Sequence, residues 1–386
     1  MSLGQETKDL FEQVDDAILD LRVLQAETKE TIDLVNNLLL KINENIKIIY
    51  DKGIKEGEGE GVEDTEIEKI IITDRVNDLN DLLILANKYG SAVERDDINV
   101  NTKILFDLIG PLEKLNKIIG MNDIKNLIVD LILTSMQDLY DPKTLFHSII
   151  VGPPGVGKTL LAKILGEIYL KLGILKNTEY IFKMAKRSDL VGKYLGHTAI
   201  KTQDLIDNCT GGVLFIDEVY SLGNEDKKDS FSKECIDTIN LNLTEKENFI
   251  CIIAGYPDEI ENCFFAINPG LKRRFPFKYE IVGYQYDELA NIFLSKMSEN
   301  QWIIDINKDE LINFFKKNKE EFKYFGGDID TLILNCKMCH SRRIFGQTDN
   351  LRKIITMTDI YCGFSKLLKI RSDNKIKDKG FSNMYI

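Results

Sequence analysis

The sequence lacks the features that mark a membrane-spanning or secreted protein. No apolar run in its 386 residues reaches the roughly 18 needed to cross a bilayer, and the apolar stretch at residues 124–133 is interrupted by Lys125 and Asp130. The opening MSLGQETKDL is polar and does not resemble a signal peptide. The 7 cysteines are odd in number and show no disulfide framework. We therefore expect a cytoplasmic, reducing location in which most cysteines are small buried side chains.

Basic residues are fewer than acidic residues. The chain carries 62 acidic residues against 50 lysines and arginines, a formal net charge of −12, so overall charge does not favour a nucleic-acid duplex as partner. Of the 3 histidines, His147 and His197 have no partner residues arranged for catalysis. A hydrophobic content of 44% and a charged content of 29% are typical of a soluble globular protein. The length suits about two or three domains.

The N-terminal part predicts helices separated by a flexible linker. Between residues 10 and 49 apolar residues recur every three or four positions, which predicts an amphipathic helix, a helical hairpin or a coiled coil. This element is either an assembly or docking arm or a helix packed on its own protein. Residues 53–65, GIKEGEGEGVEDT, have the glycine and acidic content of a flexible linker. Residues 67–88 predict another helix, which Tyr89 and Gly90 end.

The middle of the chain alternates short apolar runs with helical patterns. Such runs suit strands buried on both faces, so the pattern predicts a parallel sheet with helices on both faces. The candidate strands begin at residue 148 and then span residues 180–184, 213–216, 249–254 and 275–281. After residue 285 only helical patterns follow, at residues 287–298, 309–318, 329–345 and 357–368. This change predicts a second, smaller, all-helical domain.

A glycine-rich loop follows the first candidate strand. Residues 152–159, here called the phosphate loop, match the pattern G-x-x-x-x-G-K-[ST] and stand between a strand and a helix. The glycines let several backbone N–H groups point at one anion, next to the positive end of a helix dipole. Lys158 is placed to reach the β- and γ-phosphates and Thr159 to ligate Mg²⁺, so ATP and Mg²⁺ are the expected ligands. The expected nucleotide-binding residues are Gly152, Pro153, Pro154, Gly155, Val156, Gly157, Lys158, Thr159 and Leu160.

A later apolar strand ends in two carboxylates. In GGVLFIDEVY, residues 211–220, Asp217 and Glu218 directly follow the apolar run. Hydrolysis of a nucleotide needs one carboxylate in the Mg²⁺ shell and one base for the attacking water. Asp217 fits the first role and Glu218 the second.

These motifs occur together with other strings in the order and spacing of a known family. The strings are DLVGKYLGHTA at residues 189–199, FIDEVYSL at 215–222, AGY at 254–256 and NPGLKRRF at 268–275. From about residue 112 to residue 364 the chain resembles an AAA+ ATPase of the CbxX/CfqX type, which includes red-type Rubisco activase and stage V sporulation protein K. The resemblance covers roughly two-thirds of the chain and leaves residues 1–108 without a match.

The resemblance implies a fold, an activity and an assembly. The fold is the AAA+ parallel sheet with helices on both faces and a C-terminal all-helical lid, to which the periodicity at residues 10–49 adds an N-terminal helical or coiled-coil region. The activity is ATP binding and hydrolysis by a chaperone-like, hexameric ring that remodels a protein client. Together with the residue patterns at both ends of the chain, the resemblance predicts five parts: an N-terminal amphipathic helix or coiled coil at residues 1–52, an acidic glycine-rich linker and helix at 53–108, an ATPase core at 109–283, a lid at 284–370 and a mobile tail at 371–386.

The resemblance also implies roles for residues outside the phosphate loop. Tyr194 and Leu195 occupy the position of the first pore loop, which faces the channel of the ring and grips an extended polypeptide. Arg274 occupies the position of the arginine finger, which reaches the γ-phosphate bound by the neighbouring subunit. The adjacent Arg273 is the alternative finger.

Ile119 and Gly120, which precede the first helix of the core, are likewise implied to bind nucleotide. Two positions depart from the AAA+ pattern. A polar residue usually ends the fourth strand and orients the attacking water, but this chain has Ala254 there. An arginine usually begins a lid helix, but this chain has Ile329 and no arginine before Arg342. Either another cation serves or the lid is weakly coupled to ATP.

Cys336, Cys339 and His340 form a C-x-x-C-H string, a spacing that elsewhere marks haem attachment. Cysteines three residues apart share one face of a helix, and this segment is predicted to be helical. We interpret the string as structural packing rather than as a haem or zinc site.

A second function remains open. The missing lid arginine favours a nucleotide-switched assembly or adaptor protein that hydrolyses ATP slowly. A third class, nucleic-acid motors and clamp loaders, is disfavoured by the acidic charge and by the aromatic residue of the pore loop.

Overall fold

The computed structural model describes residues 70–382, apart from residues 93, 96, 178, 195, 224–228, 247 and 348–350. The expected helix or coiled coil of residues 1–52 and the linker at residues 53–65 lie outside the described residues. Within the described part, no helix is both long and apolar enough to cross a membrane. The chain divides into two compact units. One holds Asp81–Ile109 with the described residues before 77, and the other holds Asn77–Asn80 with everything from Gly110 onward.

The first unit departs from the helix expected at residues 67–88. Helix α1 spans only Leu79–Tyr89, whereas Ile70 forms a parallel bridge with Ile98. The Ile70 N–H donates to the backbone oxygen of Asp97 at 2.6 Å. The expectation is wrong here because three consecutive isoleucines favour extended backbone, and their polar groups bond to another segment instead of to a helix turn.

Five parallel strands form the sheet of the second unit. They are β1 Ser148–Val151, β2 Phe182–Ala185, β3 Val213–Ile216, β4 Ile250–Gly255 and β5 Phe277–Glu280, in the spatial order β2-β3-β4-β1-β5. β1, β3 and β4 are buried at every position, which explains why their sequences are continuous apolar runs. The predicted sheet is confirmed, with strand ends within about two residues of those expected.

Both faces of the sheet are covered. Alternate strand residues point to opposite faces. Ile149 and Leu214 share a core cluster with Ile236 of the helical layer, while Ile150 and Ile252 are fully buried on the other face. The helices between α1 and β5 are α2 Thr102–Lys117, α3 Asn122–Met136, α4 Lys158–Lys171, α5 Arg187–Leu190, α6 His197–Asp207, α7 Ser230–Glu245 and α8 Pro257–Glu259. A π turn at Ile260–Phe265 and 3₁₀ helices at Val219–Leu222 and Pro269–Arg274 complete the layers.

The carboxyl ends of three strands meet at one edge of the sheet. β4 lies between β1 and β3, with Val151 opposite Gly255 and Ile216 opposite Ile253. The residues that follow β1, β3 and β4 are therefore side by side, which is where ligands bind in open parallel sheets.

The C-terminal region, residues 284–382, is helical as expected but also contains two short strands. Its helices are α9 Tyr286–Glu299, α10 Lys308–Lys317, α11 Gly326–Ile344 and α12 Met357–Ser382, and a 3₁₀ turn lies at Lys319–Glu321. Strands β6 Ile303–Asp305 and β7 Ile354–Thr356 pair in parallel. Three residues are too few for an alternating pattern to stand out in the sequence, so these strands were missed.

Helix α12 also continues through much of the stretch expected to be a mobile tail from residue 371. Arg371 forms an ion pair with Asp328 of α11 and donates to the backbone oxygen of Glu321. These contacts hold the helix against α11 beyond residue 368, where the sequence pattern ended.

One pair of cysteines is bonded. Cys339 of α11 and Cys362 of α12 form a disulfide, with their Cα atoms 6.2 Å apart. The expectation of a chain without disulfides is wrong for this pair, because helix packing joins two cysteines 23 residues apart in sequence. Cys336 remains a free, buried thiol, and burial raises its pKa to about 12. The C-x-x-C-H string therefore packs between two helices.

Candidate nucleotide site

The phosphate loop joins β1 to α4 at the shared sheet edge. Gly155 has φ 75° and Gly157 has φ 95°, conformations that favour glycine. A Cβ on Gly155 would lie only 2.0 Å from the backbone oxygen of Tyr324. Helix α4 begins directly at Lys158, and the N–H groups of a first helical turn have no partners within the helix. Loop and helix start thus form a cradle suited to an anion.

The Lys158 side chain folds back on the loop. Its Nζ donates to the backbone oxygens of Gly152 at 2.8 Å and Pro153 at 2.9 Å, and it lies 5.4 Å from the ring centroid of Tyr256. Burial lowers the pKa of Lys158, and attraction to the carboxylates that follow β3 opposes this change. The ammonium is therefore within electrostatic reach of the carboxylate pair.

Asp217 and Glu218 lie at the same edge, directly after β3. Asp217 is half-buried, and its Oδ1 accepts the backbone N–H of Glu218 at 3.0 Å. Glu218 is exposed and has the left-handed conformation φ 50°, ψ 45°. That conformation costs a non-glycine residue on the order of 1 kcal/mol and is concentrated at functional sites. The structure therefore brings the predicted pair together with the phosphate loop.

Oxygen donors at this edge fit a magnesium nucleotide. Thr159 lies in the first turn of α4, and Asp217 follows the strand that is two places along the sheet. Mg²⁺ prefers such hard oxygen ligands, takes few of them from the protein and completes its shell with phosphate oxygens and water. Among the described residues, no group of three or more His, Cys, Asp or Glu side chains could hold a metal alone.

The C-terminal region packs directly on the loop. The Tyr284 hydroxyl donates to the backbone oxygen of Val156 at 2.8 Å, and Gly326 N–H donates to that of Gly155 at 3.0 Å. A Cβ on Gly326 would lie 2.6 Å from the same Gly155 oxygen, so a side chain there would break the contact. Sequence reasoning missed Tyr284 and this contact. The glycine pair Gly326 and Gly327, at the start of a predicted helix, was the available signal.

The segment before α3 approaches the same loop. Ile119 and Gly120 are half-buried, and Met121 follows them with φ 57°. The Cε atom of Met121 lies 3.8 Å from where a Cβ on Gly157 would stand. Oε1 of Glu288, from α9, lies 2.3 Å from the corresponding position on Gly120. Three separate segments therefore surround the nucleotide end of the loop.

Comparison with known proteins identifies the family. Residues 148–281 match the family described as "ATPase family associated with various cellular activities (AAA)". A cfxQ-like protein of Acanthamoeba polyphaga mimivirus is 43% identical over 325 residues, which cover 82% of this chain and 79% of that protein. The chain belongs to the CbxX/CfqX-type AAA+ ATPases. The family predicted from the motifs is confirmed.

Other relatives of this AAA+ ATPase are more distant. Stage V sporulation protein K of Bacillus subtilis is 36% identical over 198 residues, covering 49% of this chain and 60% of that protein. The protein CfxQ homolog of Pyropia yezoensis is 28% identical over 307 residues, covering 78% of this chain and 96% of that protein. Among solved structures, the FIGL-1 AAA domain in complex with ADP has a TM-score of 0.48 and 19% identity, covering 65% of this chain and 83% of that chain. That structural likeness is too weak to add to the assignment.

The residue that the AAA+ resemblance assigns to the pore loop is exposed. Tyr194 is 68% exposed, and its ring meets that of His197 edge-on at 5.6 Å. Its neighbour Leu195 lies outside the described residues. Nothing within the described part of this unit covers most of the Tyr194 ring.

The arginine-finger candidates differ in their contacts. Arg274 is half-buried, with Nε donating to Oγ1 of Thr244 at 2.6 Å and Nη1 donating to the backbone oxygen of Gly270 at 2.9 Å. Arg273 is exposed. Among the described residues, neither guanidinium forms an ion pair with a carboxylate.

The structure shows the environment of Ile329 and Ala254, the two residues that depart from the AAA+ sequence pattern. Ile329 is fully buried in α11 and presents no charge to the loop. Arg343 lies about 20 Å further along that helix, and its Nη2 is bonded to Oδ2 of Asp359 at 2.8 Å. Ala254 is fully buried in β4 and has no polar side-chain atom for a water.

Proposed function

We propose that this protein binds ATP with Mg²⁺, hydrolyses it, and acts as a ring-forming, hexameric machine that remodels a protein client. The observation that carries the proposal is the meeting of Lys158, Asp217 and Glu218 at one sheet edge. A phosphate loop alone supports nucleotide binding. The adjacent carboxylate pair adds a ligand for the metal and a base for water.

The chemistry follows from the positions of these side chains. Lys158 and the loop N–H groups hold the β- and γ-phosphates, while Thr159 and Asp217 would hold Mg²⁺, which offsets the charge of the phosphate oxygens. The exposed Glu218 carboxylate accepts a proton from water as the water oxygen bonds to the γ-phosphorus. The bond between that phosphorus and the bridging oxygen breaks, and ADP and phosphate leave.

The proposals for ring assembly and client contact each rest on the surroundings of one side chain. Arg274 has no carboxylate partner among the described residues, which suits a charge that serves the γ-phosphate of a neighbouring subunit. The exposed Tyr194 ring suits contact with an extended polypeptide. We propose residues 109–283 as the ATPase core and residues 284–370 as the lid, with the helical arm predicted in residues 1–52 selecting the client or assisting assembly.

ATPase assays on the wild type, Glu218→Gln and the control Glu310→Gln test the proposal. Glu310 is an exposed glutamate of α10, so its substitution changes charge equally without touching the site. We expect turnover in the wild type and control, and a loss of about 100-fold or more in Glu218→Gln with nucleotide binding retained. Full turnover by Glu218→Gln would refute the base assignment, and negligible wild-type turnover at concentrations where rings form would refute the machine.

A second candidate is a nucleotide-switched assembly or adaptor protein with slow hydrolysis. Three features of α11 favour it. Ile329 is buried, Arg343 is paired with Asp359, and the exposed Arg342 lies about 20 Å along the helix from Ile329, so no arginine stands at the start of α11 to sense phosphate. Light scattering with and without ATP, beside the turnover assay, separates the two. The adaptor predicts ATP-dependent assembly without appreciable turnover, whereas the machine predicts both. Client proteins retained by Glu218→Gln with ATP would then identify the target.

A further inference from the structure

Two tyrosines from neighbouring strands meet beside the carboxylate pair. Tyr220 lies in the 3₁₀ helix Val219–Leu222 that follows β3, and Tyr256 directly follows β4. Their ring centroids are 5.7 Å apart, with 30° between the ring planes. The pair therefore projects from the same sheet edge as the phosphate loop, and the proposed hydrolysis chemistry uses neither ring.

Gly255 makes this arrangement possible. A Cβ at Gly255 would lie 2.9 Å from Cδ1 of Tyr220 and 3.2 Å from Cγ1 of Ile260. The Tyr220 ring thus lies against the bare backbone of β4, at the strand end where a polar residue usually orients water. Ala254, the residue before, is buried and apolar. The sheet edge offers aromatic rings where a polar side chain of the strand is absent.

Tyr256 contacts the lysine of the phosphate loop. The Nζ atom of Lys158 lies 5.4 Å from the Tyr256 ring centroid, within the range of a cation–π contact. The same ammonium donates to two loop oxygens, those of Gly152 and Pro153. The ring and the two loop oxygens therefore both hold the ammonium in place.

Tyr220 lies in the 3₁₀ helix whose N-cap is Glu218, the carboxylate proposed as the base. Glu218 is two residues before Tyr220 and is held in a left-handed conformation. Burial, followed by the charge of the Glu218 and Glu259 carboxylates, raises the pKa of Tyr220 to about 12. The hydroxyl is protonated at neutral pH, as that of an ordinary tyrosine is, and can donate a hydrogen bond to a carboxylate.

We propose that Tyr220 and Tyr256 are positioning residues for ATP hydrolysis, with Tyr220 orienting the Glu218 carboxylate and Tyr256 holding the Lys158 ammonium. The inference rests on the proposed function, because it concerns the same site. It assigns to an aromatic pair the organising role that the strand-end polar residue has elsewhere in AAA+ proteins. Neither tyrosine transfers a proton or bonds to phosphorus.

Steady-state kinetics on full-length Tyr220→Phe separate positioning from packing. The substitution removes only the hydroxyl, so we expect kcat to fall about tenfold while KM for ATP and the Kd of a fluorescent ADP stay within about twofold. Glu218 acts only in the chemical step, which is why binding is spared. An unchanged kcat would overturn the role of Tyr220.

Tyr256→Leu and Tyr256→Phe test the aromatic contact. Lys158 meets phosphate before and during the reaction, so Tyr256→Leu is expected to lower kcat and to weaken ADP binding, each by about fivefold or more. Tyr256→Phe, which keeps the ring, is expected to restore most of both losses. Equal losses in the two variants would overturn the role assigned to the ring, and so would no loss in either.

Tyr286→Leu is the matched control, because Tyr286 makes a similar contact with Lys316 at 5.7 Å on the C-terminal region. If Tyr286→Leu lowered kcat and ADP binding as much as Tyr256→Leu does, the effects would come from reduced stability, and the proposal would be overturned. Melting temperatures identify any variant that fails to fold, and the two phenylalanine variants then decide. Wild-type turnover with unaffected tyrosine variants would refute only this inference. Absent wild-type turnover would refute the proposed function, and the inference with it.

Discussion

Gly155 is restricted both by its own backbone and by its neighbours. It has φ 75°, and a Cβ would meet the backbone oxygen of Tyr324 at 2.0 Å and the N of Gly327 at 3.0 Å. Both neighbours are backbone atoms, which cannot swing aside as a side chain can. The glycine pattern predicted a phosphate loop, but the requirement from the C-terminal region appears only in the folded structure.

We therefore expect Gly155→Ala to weaken nucleotide binding by about tenfold or more, because the clash separates the C-terminal region from the loop. Gly173→Ala is a matched control: Gly173 has φ 74°, but a Cβ there would meet nothing within 4 Å. The control costs about 1–2 kcal/mol of stability from backbone strain and leaves the Kd unchanged. Equal Kd values for fluorescent ADP in both variants would contradict this account.

His147 is a core residue of the sheet layer. Its Nδ1 accepts the N–H of Cys251 at 3.0 Å, so Nε2 carries the proton and donates to the backbone oxygen of Leu243 at 3.0 Å. Burial lowers the pKa of His147 to about 4. Its position before β1 in sequence gave no sign of these bonds, because Leu243 and Cys251 are about a hundred residues away.

A pH-dependent loss of stability follows. Between pH 6.5 and pH 4, His147 is protonated in the unfolded chain but stays neutral in the folded protein. The free energy of unfolding therefore falls as the pH drops towards 4. By pH 5 this amounts to about 2 kcal/mol. Between pH 7 and pH 5, the wild type should lose about 2 kcal/mol more unfolding free energy in urea than His147→Gln loses. Parallel losses in the two proteins would exclude the effect.

At the scale of elements, α12 clamps the start of α11. Arg371 pairs with Asp328, which is 5% exposed and whose Oδ2 also accepts the N–H of Tyr324 at 2.8 Å. The turn held in this way leads into Gly326, which bonds to the phosphate loop. The clamp therefore links α12 to the candidate nucleotide site.

Arg371→Ala is expected to lower the free energy of unfolding by about 2–3 kcal/mol, since it leaves a buried carboxylate unpaired. Arg342→Ala, the removal of an exposed arginine of α11, should change it by less than about 0.5 kcal/mol. Thermal or denaturant unfolding measures both. Adding Asp328→Asn to Arg371→Ala should recover part of the loss, and a double variant that is no more stable than Arg371→Ala would argue against the buried charge as the cause.

The sequence predicted those helices and strands whose apolar pattern lies within their own residues. β1, β3 and β4 are continuous apolar runs because both faces are buried, and α9 and α11 show helical spacing. Elements that depend on a distant partner were not predicted. Ile70 bonds to another segment, β6 and β7 are three residues each, and the disulfide joins two helices.

At the scale of the whole molecule, the same division holds for the site. Lys158, Thr159, Asp217 and Glu218 stand in motifs whose spacing points to phosphate and metal chemistry, so the sequence alone could propose them as site residues. The sequence did not predict contacts between distant residues, such as Tyr284 with the phosphate loop or Tyr220 with Tyr256. The proposed site is further divided between subunits, since Arg274 is expected to act on the nucleotide of its neighbour.

Mixing two inactive variants tests this composite site most directly. Glu218→Gln keeps a working finger, and Arg274→Ala keeps a working base. In randomly mixed rings about a quarter of interfaces combine an intact Glu218 with an intact Arg274 from the next subunit. We predict that each variant alone is inactive and that an equal mixture, assembled with ATP, recovers about a quarter of wild-type turnover. A mixture that co-assembles yet stays inactive would contradict the account, because both residues would then be needed in one chain.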